Sequence, residues 1–474
     1  MSNTIKITIN EKEVIAKEGD LLIDKVFEQD INLQHFCYHP ALGVDGNCRM
    51  CMVEIEGSKR PQIACDTFVK DGMVVRTVGE KIEKVRKDIL ELELINHPID
   101  CPVCDQAGEC KLQDFYMDGG LYDTRMDVPK NNANKKTDLG KNVMLDQERC
   151  VMCTRCVRFT KDITKSNELG VEHRTDHSVI TIFPGMKLQN DYSMNVVDIC
   201  PVGALTNKDF RFNQRVWFLE SFDGVCSGCS KGCNVHVDHA KEKYKDDKIF
   251  RLRPKTNLAV NGYFMCDYGR MLYKSENENR LLKPVYKEEE LSETQALDQI
   301  NELIQTNEKV MILCSPKQSL EELQSLKEFA TNNNIPLSGY CEQYIDDEFA
   351  DDMLKTNDKA PNRKALEILE IDQSIEFFRS SLDSATLVLV FQNDFVDTQY
   401  GYDKNKKIVL FTPTRVECGC DVLFYPIASA YEKTGTFINV DGHKQKQVSG
   451  MKKDVPCDDI SGILRKLTRM AKKD

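Results

Sequence analysis

Apolar and polar positions alternate at the start of the chain. Ile5, Ile7 and Ile9 are separated by polar neighbours, the period of a strand with one buried face. Asn10-Glu11-Lys12 reads as a turn, and residues 14–16 as the returning strand. Asp20 stands where it could cap a short helix running to Phe27. A hairpin, a helix and a following cysteine loop predict a small domain ending near Val78. Residues 80–96 then change to helical period: Ile82, Val85, Ile89 and Leu92 fall three and four apart, on one face. Pro98 ends that helix by restricting the residue before it. Residues 123–141 are polar and read as a connecting loop. Past residue 290 the pattern changes again. Runs at 310–313, 386–391, 408–411 and 422–425 predict buried strands, and 320–332 and 365–382 predict helices between them. Strands alternating with helices imply an α/β layer. No GxGxxG or Walker loop occurs there, so nucleotide binding has no support in the sequence.

Composition adds limits. A chain of 474 residues is too long for one ordinary core, so three or more domains are expected. The net charge of −12 and the lack of a basic stripe argue against nucleic acid and anionic lipid as partners. The apolar runs are too short to span a bilayer, and residues 1–14 lack the apolar stretch of a secretory signal. Membrane contact is therefore expected only through partners. Twenty cysteines is a high count, and fifteen lie between Cys37 and Cys266 in tight groups. A secreted disulfide scaffold fits that grouping poorly; soft-metal sites fit it well, and spacing must separate zinc from iron–sulfur clusters.

Four groups emerge. Cys37, Cys48, Cys51 and Cys65 form a glycine-containing loop with a CxxC, which suits a [2Fe–2S] cluster although the spacing departs from the plant type. Cys101, Cys104 and Cys110 offer three thiolates where a [4Fe–4S] cluster needs four ligands; His97, at the predicted helix end, could be the fourth or an ordinary structural histidine. Cys150, Cys153 and Cys156 are closed by the distant Cys200-Pro201. In two-cluster ferredoxins the fourth cysteine of each run serves the other cluster. Here the positions for a second cluster are Thr160, Asn190, Ser193 and Val196, so one [4Fe–4S] set is complete and the other is lost without leaving an orphan thiol. Cys226, Cys229, Cys233 and Cys266 make a fourth group, for which zinc competes with [4Fe–4S]. Cys314, Cys341, Cys418, Cys420 and Cys457 are scattered or too close together and read as buried inert thiols.

The motifs CYHPALGVDGNCRMCMVEIEG, HPIDCPVCDQAGECKLQD, ERCVMCTRCVRF, VVDICPVGALT and VCSGCSKGCNV, in this order, resemble the large iron–sulfur (G, 75-kDa-type) subunit of bacterial NADH:quinone oxidoreductase, respiratory complex I. The resemblance is close to about residue 270 and faint beyond, where residues 431–439 through Gln445 look like part of a molybdopterin-oxidoreductase-like domain. Only 208 residues follow Cys266, so that domain is expected as a reduced remnant without a pterin. The resemblance implies an α+β first half with a β-grasp [2Fe–2S] ferredoxin domain (1–78), a helical His/Cys3 segment (79–119) and a ferredoxin-like [4Fe–4S] domain (140–217). A pterin-oxidoreductase-type [4Fe–4S] domain (218–275) and the α/β remnant (290–474) follow. It further implies one [2Fe–2S] and three [4Fe–4S] clusters, and no FMN or NAD bound by this chain. The implied partners are an FMN- and NADH-binding flavoprotein and quinone-proximal iron–sulfur subunits, on the cytoplasmic side of the inner membrane. Diaphorase subunits of NAD-linked hydrogenases or formate dehydrogenases are the rival relatives, and a zinc-stapled scaffold is the rival of another class.

Overall fold

In the computed structural model, residues 4–120, 122–241, 247–394, 406–416, 422–451 and 459–470 are described. They form two compact units, 1–218 and 219–474. The first unit opens with β1 (Thr4–Ile9) and β2 (Lys12–Lys17), paired antiparallel about the expected turn, where Asn10 and Glu11 take positive φ. Ile5, Ile7, Ile9, Val14 and Ala16 are buried, as the alternation requires. Helix α1 (Leu22–Phe27) buries Leu22, Ile23 and Val26 against the sheet. Asp20 does not cap it. Its carboxylate accepts the Lys17 N–H at 2.9 Å and closes the turn after β2, while Leu21 holds the cap position. Strands β3 (Met52–Ile55), β4 (Gln62–Ile63) and β5 (Val74–Arg76) complete a sheet of order β2-β1-β5-β3-β4, with β1 and β5 parallel. This is the expected β-grasp arrangement.

Helix α2 (Glu80–Leu94) forms as predicted, but its buried stripe is rotated. Ile82 and Leu90 are buried while Leu92 is 66% exposed. Arg86, between Ile82 and Leu90 on the same face, turns inward and donates to the Met52 carbonyl at 2.6 Å. Reading apolar residues alone missed it. Helix α3 (Lys111–Gly119) begins directly after Cys110. Strands β6 (Thr137–Asp138) and β7 (Val143–Leu145) follow the polar loop, and α4 (Arg155–Arg158) runs on into a π-helical turn at Phe159–Ile163. The hairpin β8 (Leu169–Glu172)/β9 (Val179–Ile182), helix α5 (Asn195–Asp198) and strand β10 (Leu205–Asn207) close the unit; β10 pairs with β7.

The second unit starts with an antiparallel sheet of β11 (Glu220–Val225), β12 (Asn234–Lys241) and β13 (Asp247–Pro254), followed by α6 (Asp267–Met271) and α7 (Tyr273–Asn277). Strands β14 (Val285–Tyr286) and β15 (Glu289–Glu290) lead to helix α8 (Glu293–Thr306). Strand β16 (Val310–Leu313), helix α9 (Leu320–Asn332) and strand β17 (Leu337–Ser338) come next. The predicted helix 365–382 is two helices, α10 (Arg363–Ile368) and α11 (Ile375–Ser384). Glu370 takes φ of +52°, Asp372 bridges to Ser338, and Ser374 caps α11 through the Phe377 N–H. Strands β18 (Leu387–Phe391), β19 (Lys407–Thr412) and β20 (Val422–Pro426) join β16 and β17 in a parallel array, order β17-β16-β18-β19-β20, to which β14 and β15 add antiparallel. β18 is buried along its whole length, which is why it reads as an unbroken apolar run. A hairpin of β21 (Gly435–Ile438) and β22 (Lys444–Gln447) and helix α12 (Ile460–Met470) end the described chain. Cys314 and Cys341 are buried as expected; Cys418, Cys420 and Cys457 lie outside the described residues.

Candidate metal centres

Each of the four sequence groups is gathered in space. In the first, Cys37, Cys48, Cys51 and Cys65 are all buried between the β-grasp sheet and the loop that follows α1. Their thiols hydrogen-bond one another, Cys37 with Cys48 and Cys65, and Cys51 with Cys65. These bonds favour the thiolate at Cys37 and Cys51, whereas the same bonds and burial push Cys48 and Cys65 upward. Backbone N–H groups add to this: Gly46 and Cys48 donate to the Cys37 sulfur, Ala64 and Cys65 to that of Cys51, and Phe36 to that of Cys48 at 3.4 Å. Four soft donors in one water-excluded network fit an iron–sulfur cluster.

In the second group His97, Cys101, Cys104 and Cys110 line one small cavity with Leu94, Ala107, Leu112 and Tyr116. His97 follows α2, Cys101 opens a single turn, and Cys110 sits at the start of α3. Burial pushes the His97 imidazole down to about 4, with Asp100 opposing and Arg149 assisting, so the ring is neutral at physiological pH and able to donate a lone pair. Burial raises the Cys110 thiol to about 11. Arg149, itself buried, grips Asp100 through two bonds of 2.9 and 2.6 Å and so fixes the 97–101 turn. Gly203 reaches this cavity from the loop after Cys200. A Cβ there would lie 2.3 Å from the Cys104 sulfur, so only glycine lets the backbone pass.

The third group, Cys150, Cys153, Cys156 and Cys200, lines a cavity closed by Leu145, Val151, Ile180, Val202, Ala204 and Leu205. Burial raises all four thiols, Cys153 to about 12. Backbone N–H groups of Val202, Leu205 and Ala204 bond the Cys200 sulfur and pull the other way. Where the lost second cluster would lie, Thr160, Ser193 and Val196 are fully buried. The buried Glu168 carboxylate accepts the N–H groups of Gln189 (3.0 Å) and Asn190 (3.1 Å), the Asn190 amide (2.5 Å) and the Ser166 hydroxyl (2.8 Å).

The fourth group spans the turn between β11 and β12, with Cys266 brought in before α6. The Cys226 N–H donates to the Cys233 carbonyl at 2.8 Å, and the Gly269 N–H to the Cys266 sulfur at 3.3 Å. A Cβ on Gly269 would lie 2.7 Å from the Cys226 sulfur. The C-terminal hairpin clamps this loop. Gln447 accepts the Val225 N–H (3.0 Å), Gln445 donates to the Gly232 carbonyl (2.8 Å), and Asn439 donates to that of Lys231 (3.2 Å). The segment singled out at 431–445 is thus part of the support of the fourth group.

Sequence reasoning missed Arg149, Arg155, Arg158, Gly203 and Gly269. The arginines stand inside the cysteine motifs, where a basic residue reads as solvated surface. The glycines lie beside a ligand of their own group, but their close contacts are with sulfurs distant in sequence.

Comparison with known proteins gives the same succession of modules. Residues 2–80 match a 2Fe-2S iron-sulfur cluster binding domain, and residues 86–125 the NADH-ubiquinone oxidoreductase-G iron-sulfur binding region. Residues 140–206 match the ferredoxin-like domain of NADH-quinone oxidoreductase subunit 3, and residues 219–278 the molybdopterin oxidoreductase Fe4S4 domain. The G subunit of NADH-quinone oxidoreductase from Rickettsia conorii is 33% identical over 329 residues, 68% of this chain and 48% of the relative. The protein of the same name from Streptomyces coelicolor is 36% identical over 289 residues, 60% of this chain and 34% of that one. A solved chain of an NAD+-reducing [NiFe]-hydrogenase shares 25% identity over 45% of this chain and 91% of its own, at a TM-score of 0.41, too low to carry an argument. The chain spans about half the length of the Rickettsia relatives and about a third of the Streptomyces one.

Proposed function

We propose that this chain, which resembles the G subunit of NADH-quinone oxidoreductase over about two thirds of its length, is an iron–sulfur electron-transfer subunit of such an enzyme. It would relay single electrons from an FMN-containing, NADH-oxidising partner towards quinone, while proton translocation belongs to the whole complex. In this reading Cys37, Cys48, Cys51 and Cys65 hold a [2Fe–2S] cluster. His97, Cys101, Cys104 and Cys110 hold a [4Fe–4S] cluster, as do Cys150, Cys153, Cys156 and Cys200, and Cys226, Cys229, Cys233 and Cys266. Bound clusters supply one-electron redox chemistry at potentials set by ligand type, charge and hydrogen bonds to sulfur. The chain's own residues do the rest. Buried thiols exclude water, backbone N–H groups at Gly46, Ala64, Val202 and Gly269 stabilise sulfur charge, and the neutral His97 ring lowers the negative charge of its site.

The observation that supports the reading is that sixteen side chains, spread from residue 37 to 266, are gathered in four separate groups. No bond of a substrate is made or broken here in this account, and no FMN, NAD or pterin is bound by the chain. Among the described residues no helix is long and apolar enough to cross a membrane, so attachment to the cytoplasmic face would run through partner subunits. The module limits follow the sequence reading, 1–78, 79–119, 140–217, 218–275 and 290–474. Adding NADH to the assembled complex tests the reading: the EPR signals of these centres should appear, and a quinone analogue should then oxidise them. Centres that stay oxidised with NADH but respond to hydrogen would support the diaphorase alternative instead.

A further inference from the structure

Two arginines of the third motif are turned toward the first. Arg155 is 4% exposed; its guanidinium donates to the Ile199 carbonyl at 3.0 Å, next to Cys200, and to the Tyr38 carbonyl, next to Cys37. Arg158 donates to the carbonyls of Leu42 and Gly43, both at 3.1 Å, to that of Cys37, and to that of Cys153 at 3.4 Å. The two loops also touch directly, Asn47 donating to the Met152 carbonyl at 2.7 Å and Thr154 to Asp45 at 2.8 Å.

All these guanidinium partners except the Thr154 hydroxyl, which accepts from Arg158, are backbone carbonyls, and among the described residues neither arginine pairs with a carboxylate. A buried cation without an anionic partner is strongly unfavourable. With clusters bound, the groups that compensate it are the ligand sulfurs on either side, Cys37 of the first centre and Cys153 and Cys200 of the third, with each of which Arg155 interacts electrostatically. The same charge then favours the reduced, more negative state of each site, because a fixed cation in a poorly screened interior lowers the cost of added negative charge.

We propose that Arg155 is a shared positioning residue and counter-charge for the first and third centres, holding their loops together and raising both reduction potentials. This rests on the cluster assignment proposed above.

The test is a redox titration of the assembled complex, followed by EPR, with Arg155→Met and Arg155→Lys beside the unaltered chain. Arg155→Met should keep its iron and shift the reduction equilibria of the first and third centres toward oxidised by about tenfold or more, which is about 59 mV for a one-electron couple. The other two centres should not move. Arg155→Lys, which keeps the charge, should stay near the unaltered potentials. A shift in one centre alone, in neither, or equally with lysine would overturn the proposal. If Arg155→Met strips iron from the third site, Arg155→Gln, which keeps an N–H donor but no charge, takes its place: a fall in both potentials supports the shared charge, and a shift in one centre or in neither refutes it. Zinc instead of iron in the unaltered chain would be a failure of the cluster assignment, seen before any variant is titrated.

Discussion

Replacing Gly203 with alanine adds one methyl group at a place where the backbone passes a sulfur. The new Cβ would stand 2.3 Å from the Cys104 Sγ and 3.0 Å from the Gln106 Cβ. Ordinary contact between such atoms begins at about 3.5 Å, so the sulfur or the backbone must yield by about 1 Å. Overpacking of that kind costs about 1–3 kcal/mol where neighbours can shift. Here they are tied: the Lys111 N–H donates to the Pro201 carbonyl at 3.0 Å, and Arg215 donates to the Cys104 carbonyl at 2.7 Å. The strain therefore falls on the position of Cys104. Gly203→Ala should lose about four iron atoms per chain and the EPR signal of the His97 centre. The first centre's signal should remain as an internal control. A full iron complement with an unchanged second-centre signal would refute the reasoning, because it would mean that Cys104 is free to move and does not hold a cluster at the recorded position.

Substituting the proposed histidine ligand changes the charge of its site. His97→Cys should keep the cluster and lower its potential, since one thiolate adds negative charge, while His97→Ala should lose or destabilise it; an unchanged midpoint after His97→Ala would make His97 a structural residue. The C-terminal hairpin should matter for the fourth centre alone. Gln447→Ala leaves the Val225 N–H and the Ala430 and Lys433 carbonyls short of a partner, each costing about 1–3 kcal/mol. The fourth EPR signal should weaken while the other three persist, and removal of residues after about 290 should do the same more severely. Acid should destabilise the second unit through Asp238. Burial alone would raise its carboxyl, but bonds from Arg253 (2.6 and 3.0 Å) and Arg251 (2.7 Å) hold it below the ordinary value of 3.8. Its stabilisation is complete above pH 3.8 and is lost as pH falls through the depressed value, so Asp238→Asn should flatten the melting temperature below pH 4.

Much of this was legible because the informative residues carry their own period or spacing. Alternation at Ile5, Ile7 and Ile9 located the first strand, and the fully buried run at 387–391 located a parallel one. The cysteine spacings identified four groups, and counting positions across the third run identified Thr160, Asn190, Ser193 and Val196 as the remains of a lost site, of which Thr160, Ser193 and Val196 are fully buried. What stayed hidden depends on contacts distant in sequence. Arg86 lies on the buried face of α2 because a carbonyl on β3 accepts its hydrogen bond, which no local pattern reveals. The break between α10 and α11 comes from Asp372 bridging to Ser338. Gly203 and Gly269 matter because of sulfurs 99 and 43 positions away, at Cys104 and Cys226. Arg155 and Arg158 read as surface charge until the loop bearing Cys37 is seen to close over them.

The central claim is that these four side-chain groups hold iron–sulfur clusters. Metal analysis after anaerobic reconstitution tests it most directly, with inorganic sulfide measured on the same sample. One [2Fe–2S] and three [4Fe–4S] clusters predict about 14 iron atoms and about 14 sulfides per chain. Stoichiometric zinc at the cysteine groups, with iron and sulfide near zero, would contradict the account and leave a zinc-stapled scaffold in its place.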